Sequence, residues 1–186
     1  RPYWTDADVP AFLQRTNALV AGAAERGVPV VRVFHVDDEP VGGPFSLASG
    51  LIRPLEGLAP YDPAFTITKH RHSALAGTDL AIRLRERGIR CVIVAGIRTE
   101  QCCETTTRHA SDLGWAVDFV PQATLTFDMT QPDGTPLLAA DIVARTATAS
   151  ERRPSRQSRS AVGSGTCDTA RSNKASMRSS LFATCR

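Results

Sequence analysis

The sequence lacks the features that mark three classes of protein. Its five cysteines, at positions 91, 102, 103, 167 and 185, are odd in number and follow no framework spacing, which argues against an extracellular disulfide scaffold. No apolar run approaches the roughly 18 residues that a membrane helix needs, and no basic and then apolar leader is present. The glycine patterns of nucleotide-binding loops are also missing. We therefore expect a cytoplasmic protein with reduced thiols and no membrane partner.

The chain has enough apolar content to form one domain. It contains 186 residues, of which 42% are hydrophobic. From about residue 147 the composition becomes rich in Ser, Arg, Thr and Ala, without an apolar period of 2 or 3.6. We predict a domain over residues 1–146 and a basic, disordered tail over residues 147–186. The tail lacks interleaved aromatic residues, so we expect no nucleic-acid partner.

Helical and strand patterns alternate along the domain. The strands are nearly continuous apolar runs, which is typical of a parallel sheet covered on both faces. We predict an α/β fold with a three-layer, doubly wound (Rossmann-like), mostly parallel sheet, in which chemistry gathers at the carboxyl ends of the strands. The predicted helices cover residues 9–26, 78–88, 99–114 and 136–146, and the predicted strands cover residues 28–36, 65–69, 91–96 and 115–120.

Two adjacent cysteines follow one of these strands, in the stretch "GIRTEQCCETT" at residues 96–106. Cys102 lies three residues after Thr99, a candidate helix cap, where the positive end of the helix dipole favours a thiolate. Cys103 is turned by about 100° around the helix, so only one thiol can face a cleft. Two buried core cysteines remain an equal alternative at this point, whereas a strained disulfide or a zinc site is disfavoured.

Two stretches resemble the isochorismatase-like cysteine hydrolases. "GIRTEQCCETTTRHASDLG" is similar to the family pattern Gly-x-x-Thr-x-x-Cys-(small apolar)-x-x-Thr. "TKHRHSALAGTDL", at residues 68–80, resembles the segment that carries the family's catalytic lysine. The resemblance covers residues 9–145. The matching positions are Gly96, Thr99, Cys102 and Thr106 in the first stretch, and Lys69, Ser73, Ala74, Gly77, Thr78 and Leu80 in the second.

The resemblance implies a catalytic arrangement. The family uses an Asp, a Lys and a Cys, so Cys102 becomes the expected nucleophile and Lys69 its charge partner. A cis peptide bond before Arg98 is also implied, with the backbone N–H groups of Arg98 and Cys102 forming an oxyanion hole. A cysteine at this position implies cleavage of an amide or ureido C–N bond in a small molecule through a thioester. No cofactor is implied, and a homo-oligomer is expected.

The position of Lys69 is consistent with this chemistry without the resemblance. It ends one predicted strand, whereas Cys102 follows another, so both could lie at the same edge of the sheet and an ammonium could stabilise a thiolate. A solvated surface lysine is the simpler alternative.

One part of the family pattern is absent. The family's aspartate ends a first strand of the form (apolar)-(apolar)-Asp-x-Gln, and this sequence contains no such segment. We therefore expect a domain incomplete at its N-terminus, without the central strand between residues 28–35 and 91–96, and with impaired activity. A non-catalytic scaffold or binding protein with the same fold is the alternative.

Four residues are candidates for substrate binding. His35 ends a strand, Phe45 lies in a Gly-rich loop, His70 adjoins Lys69, and Arg98 lies in the oxyanion turn. His35 either lines the cleft or is buried with a partner. The nicotinamidases of the family carry an Asp-x-His pair at a metal site, whereas here Val occupies position 33, so we predict no metal.

Overall fold

A parallel sheet organises the domain. The structure, a computed structural model, describes residues 4–37, 39, 42–150 and, as a backbone strand, 180–185. In these residues the main sheet has the strand order β2-β1-β7-β3-β4, and all its neighbouring pairs are parallel. The strands are β1 (Val30–His35), β2 (Phe65–Lys69), β3 (Cys91–Ile97), β4 (Ala116–Leu125) and β7 (Ser180–Cys185), with β5 (Met129–Thr130) and β6 (Pro136–Leu137) in a separate antiparallel pair. The predicted parallel α/β fold is confirmed.

Helices cover both faces of this sheet. They are α1 (Val9–Glu25), α2 (Leu80–Glu86), α3 (Glu104–Asp112) and α4 (Ala139–Ser150). Because side chains alternate along a strand, neighbouring residues of β1 join different cores. Val31 packs in a cluster with residues of α2 and α3, whereas Val30 packs in a cluster with residues of α1. This arrangement is the predicted three-layer architecture.

The central position of the sheet differs from the prediction. β7 lies between β1 and β3 and pairs with both along Ser180–Cys185, so the position that we expected to be vacant is occupied. The prediction of a disordered tail over residues 147–186 does not hold for residues 147–150, which continue α4, or for residues 180–185, which form β7. The physical reason is that β1 and β3 would otherwise leave rows of backbone N–H and C=O groups unpaired. Residues 151–179 lie outside the described residues.

The cysteines also differ in part from the prediction. Cys102 and Cys103 are free thiols, as expected, but Cys91 takes part in a disulfide bond. The expectation that every thiol is reduced is therefore wrong for Cys91. Among the helices in the described part of the chain, none combines the length and apolar character required to cross a membrane.

A buried carboxylate joins α3 to α4. Glu104 accepts hydrogen bonds from Arg108 Nη2 at 2.8 Å, Arg145 Nη1 at 2.6 Å and Thr146 Oγ1 at 3.1 Å. Its side chain is only 7% exposed, whereas those of Arg108 and Arg145 are 52% and 64% exposed. Glu104 directly follows the turn that contains Cys102, so this network helps to fix the start of α3.

We expect Glu104→Gln to lower the free energy of unfolding by about 1–3 kcal/mol, because both carboxylate oxygens accept hydrogen bonds. The amide has no negative charge, keeps one acceptor oxygen and places an NH2 donor against the donors that faced the other oxygen. Urea denaturation followed by circular dichroism measures the change. Asp79→Asn is the control, since the pair Asp79–Arg83 is substantially exposed and its loss should cost less than about 0.5 kcal/mol. Equal effects of the two substitutions would show that the Glu104 network adds nothing to stability.

Candidate active site

The chain changes conformation sharply after β3. The peptide bond between Ile97 and Arg98 is cis, as the resemblance implied. Thr99–Cys103 then form a π-helical turn, in which the N–H of Cys103 donates to the carbonyl of Arg98 at 3.1 Å. Such wide turns occur frequently at functional sites. Cys102 therefore lies at the carboxyl end of a fully buried strand, as predicted, but on a wider turn than the predicted α-helix.

Thr99 anchors this turn to β4. Its buried hydroxyl donates to Thr124 Oγ1 at 2.9 Å, and Thr124 Oγ1 donates to the carbonyl of Pro121 at 2.8 Å. No side chain caps the turn. The interpretation of Thr99 as a helix cap is therefore wrong, because its hydroxyl bonds to the neighbouring strand and not to the turn's own N–H groups.

The two adjacent thiols lie in the protein core. Both are buried, with exposed fractions of 7% for Cys102 and 0% for Cys103. Both belong to the core cluster that includes residues of α2 and α3, and the Sγ atom of Cys102 lies 3.1 Å from Lys69 Nζ. The contact with Lys69 places the sulfur of Cys102 beside a charged group.

Lys69 is fully buried at the end of β2. Its ammonium has three N–H donors, and each has one acceptor: Cys102 Sγ at 3.1 Å, the carbonyl oxygen of Arg71 at 2.9 Å and His35 Nδ1 at 3.1 Å. The alternative of a solvated surface lysine is therefore wrong. A positive charge at this distance favours the thiolate form of Cys102.

His35 ends β1 directly opposite Lys69 in the parallel register. Its ring meets the ring of Phe45 edge-on with centroids 5.0 Å apart, and stacks on His72 at 6.3 Å. Burial, followed by the charges of Lys69 and His72, lowers the pKa of His35 from 6.5 to about 4, although Asp37 opposes the shift. His35 is therefore neutral at pH 7, and its Nδ1 acts as the acceptor because Lys69 can only donate.

The other substrate-binding candidates occupy different surroundings. Phe45 lies beside the site through its contact with His35. The Nη2 atom of Arg98 is 2.7 Å from Glu100 Oε1 and 3.0 Å from Met129 Sδ, so its charge is already paired. His70 is exposed, and its imidazole makes no hydrogen bond in the described part of the chain. The structure therefore brings His35 and Phe45 to Lys69 but does not bring His70.

A set of motif side chains clamps the segment after Lys69 against α3. Ser73 Oγ and His109 Nδ1 are 2.8 Å apart, and the backbone N–H of Ala74 donates to Thr106 Oγ1 at 3.0 Å. Sequence reasoning did not identify the contact of His109 with Ser73. It also missed the stacking of His72 on His35. Their spacing in the sequence carries no signal, because both partners come from distant segments.

The contacts of Lys69 Nζ in the described part of the chain include no carboxylate. Among residues 4–37, 39 and 42–150, its Nζ contacts a sulfur, a carbonyl oxygen and an imidazole, and forms no ion pair with Asp or Glu. The described residues also contain no group of three His, Cys, Asp or Glu side chains that could hold a metal ion.

Known proteins are similar to this chain in sequence and in fold. YwoC of Bacillus subtilis, an uncharacterised isochorismatase family protein, is 33% identical over 99 residues, which are 53% of this chain and 52% of YwoC. Nicotinamidase 3 of Arabidopsis thaliana is 41% identical over 66 residues, which are 36% of this chain and 33% of that protein. The chain thus spans about half or less of the length of these relatives. The crystal structure of an isochorismatase from Pseudomonas putida superposes with a TM-score of 0.69 and 28% identity, covering 77% of this chain and 72% of that one.

The family model named "Isochorismatase domain" matches residues 1–151, which include both motifs and the three residues that contact Lys69 Nζ: His35, Arg71 and Cys102. This match, which covers more than half of the chain, establishes that the chain belongs to the isochorismatase family.

Proposed function

We propose that this protein is a cysteine hydrolase that cleaves the C–N bond of a small amide or ureido compound. The observation that supports this best is the contact of 3.1 Å between the buried Lys69 ammonium and the sulfur of Cys102. This pairing provides a nucleophile at neutral pH without a neighbouring general base for the thiol. Similarity to a protein named nicotinamidase supports an amide as the reacting group.

In the first half of the proposed reaction, the Cys102 thiolate attacks the carbonyl carbon of the substrate. The electron pair of the C=O bond moves to oxygen, where the backbone N–H groups of Arg98 and Cys102 stabilise it. Collapse of this intermediate breaks the C–N bond and leaves a thioester. The departing amine takes a proton from the Lys69 ammonium.

In the second half, water attacks the thioester and its proton passes to the neutral Lys69 amine. The C–S bond breaks, which releases the acid and restores the thiolate and the ammonium. No carboxylate in the described residues contacts Lys69 to assist this transfer. A positioned acid–base group contributes typically 10²–10⁴-fold, so we propose that hydrolysis of the thioester is slow in this chain.

Slow hydrolysis should allow the acyl enzyme to accumulate. We expect that incubation with a panel of small amides and ureido compounds gives an acyl adduct on Cys102, detected by mass spectrometry of the intact chain and its peptides. Cys102→Ala should lose the adduct, whereas Cys103→Ala, which changes the adjacent buried thiol, should keep it. Labelling of Cys103, or an adduct that persists in Cys102→Ala, would show that the nucleophile is assigned incorrectly.

The charge of Lys69 should control the reactivity of Cys102. Lys69→Met keeps the length of the side chain but removes the charge, so alkylation of Cys102 by iodoacetamide at pH 7 should slow by about 10-fold or more, since one unit of pKa is a factor of ten in the thiolate ratio. The exposed Arg90→Met removes the same charge away from the site and serves as the control. An unchanged rate in Lys69→Met would refute the role of Lys69.

The lack of a carboxylate contact to Lys69 among the described residues also favours a second candidate function. A protein of this fold could bind a small molecule without turning it over. A Cys102 that is readily alkylated but forms no acyl adduct with any member of the panel would support this binding role and oppose the hydrolase.

A further inference from the structure

We propose that His35 is a positioning residue, whose Nδ1 holds the Lys69 ammonium so that one of its N–H groups points at Cys102. The inference rests on the proposed function in one respect: Lys69 and Cys102 are taken as the reactive pair. It assigns to His35 a role that acts through Lys69, and not through contact with substrate.

The first argument is the geometry around Nζ. A lysine side chain is flexible, and its ammonium can rotate its three donors freely unless acceptors fix them. Here the acceptors come from three different segments: His35 from the end of β1, Arg71 from the loop after β2, and Cys102 from the turn after β3. Two fixed acceptors, the imidazole and the carbonyl, direct the remaining N–H to the sulfur.

The second argument is that His35 is itself held in place. The backbone ladder sets it opposite Lys69, with their Cα atoms paired in the register of β1 and β2. The ring of Phe45 packs edge-on against the imidazole, and His72 stacks on it. Because its acceptor on His35 is fixed, the Lys69 ammonium keeps a more defined orientation than it would with a mobile side chain or water as the acceptor.

The third argument concerns charge. The charged or titratable groups that face His35 are Lys69, His72 and Asp37. A hydrogen bond with the backbone of Arg71 raises the pKa of His35, as Asp37 does. Burial and the neighbouring cations lower its pKa to about 4, so the lone pair on Nδ1 is available at every pH above that value. As the pH falls through about 4, protonation would place two cations in contact, and the contact with Lys69 would be lost.

The experiment measures the rate at which iodoacetamide alkylates Cys102 as a function of pH, by quantifying the Cys102 peptide in the mass spectrometer. His35→Leu removes the acceptor, and we expect the midpoint of the profile to rise by about one pH unit, equivalent to about a 10-fold slower alkylation below the midpoint. His35→Asn places an amide oxygen near the position of Nδ1, and should restore most of the reactivity. Circular dichroism confirms that each variant is folded.

A double substitution separates positioning from a general structural role. If His35 acts through Lys69, then His35→Leu should cause no further shift in a Lys69→Met background. A midpoint that is unchanged or lower in His35→Leu, or an equal shift in both backgrounds, would overturn the proposal. If Lys69→Met alone shifts nothing, the reactive pair itself is wrong. If Lys69→Met shifts the profile but His35→Leu does not, only the role of His35 fails.

Discussion

The structure of this site depends on one constraint: a fully buried ammonium must have an acceptor for each of its three N–H groups. Lys69 satisfies that requirement with a thiol sulfur, a backbone carbonyl and a neutral imidazole. The same contacts that make the burial of Lys69 tolerable therefore join the ends of β1, β2 and β3. The third acceptor of Lys69 is the sulfur of Cys102, which is also the proposed nucleophile. The hydrogen bonds that stabilise the buried ammonium therefore include the one on which the proposed chemistry depends.

The parallel sheet is what brings these groups together. In such a sheet the carboxyl ends of all strands lie at one edge, so residues that end β1 and β2 meet the turn that follows β3. Secondary contacts then fix each participant: the Thr99–Thr124 bond holds the turn, and Thr106 and His109 hold the segment after Lys69. The Glu104 network secures the next helix to α4. The groups of the site are thus held by elements that are themselves hydrogen-bonded to their neighbours.

Local patterns predicted most of the elements because their signals are local. The predicted helix at residues 9–26 and strand at residues 91–96 agree closely with α1 and β3. The π-helical turn was read as an ordinary helix, since the two conformations use similar residues. β4 continues past residue 120 to Leu125 although its second half contains Pro121, because pairing with β3 resumes after a shift of register. β7 was missed because its position is decided by backbone pairing with distant strands, which composition does not reveal.

The sequence by itself determined the alternation of strands and helices and the family motifs, because residue spacing is a property of a short segment. Only the tertiary structure decided that Lys69 is buried, that His35 is neutral and bound to it, and that Arg98 is paired with Glu100. The contacts of Lys69 with His35 and Cys102 span 34 and 33 residues of the chain. Such contacts depend on the register and order of the strands, which are settled by the packing of the whole sheet.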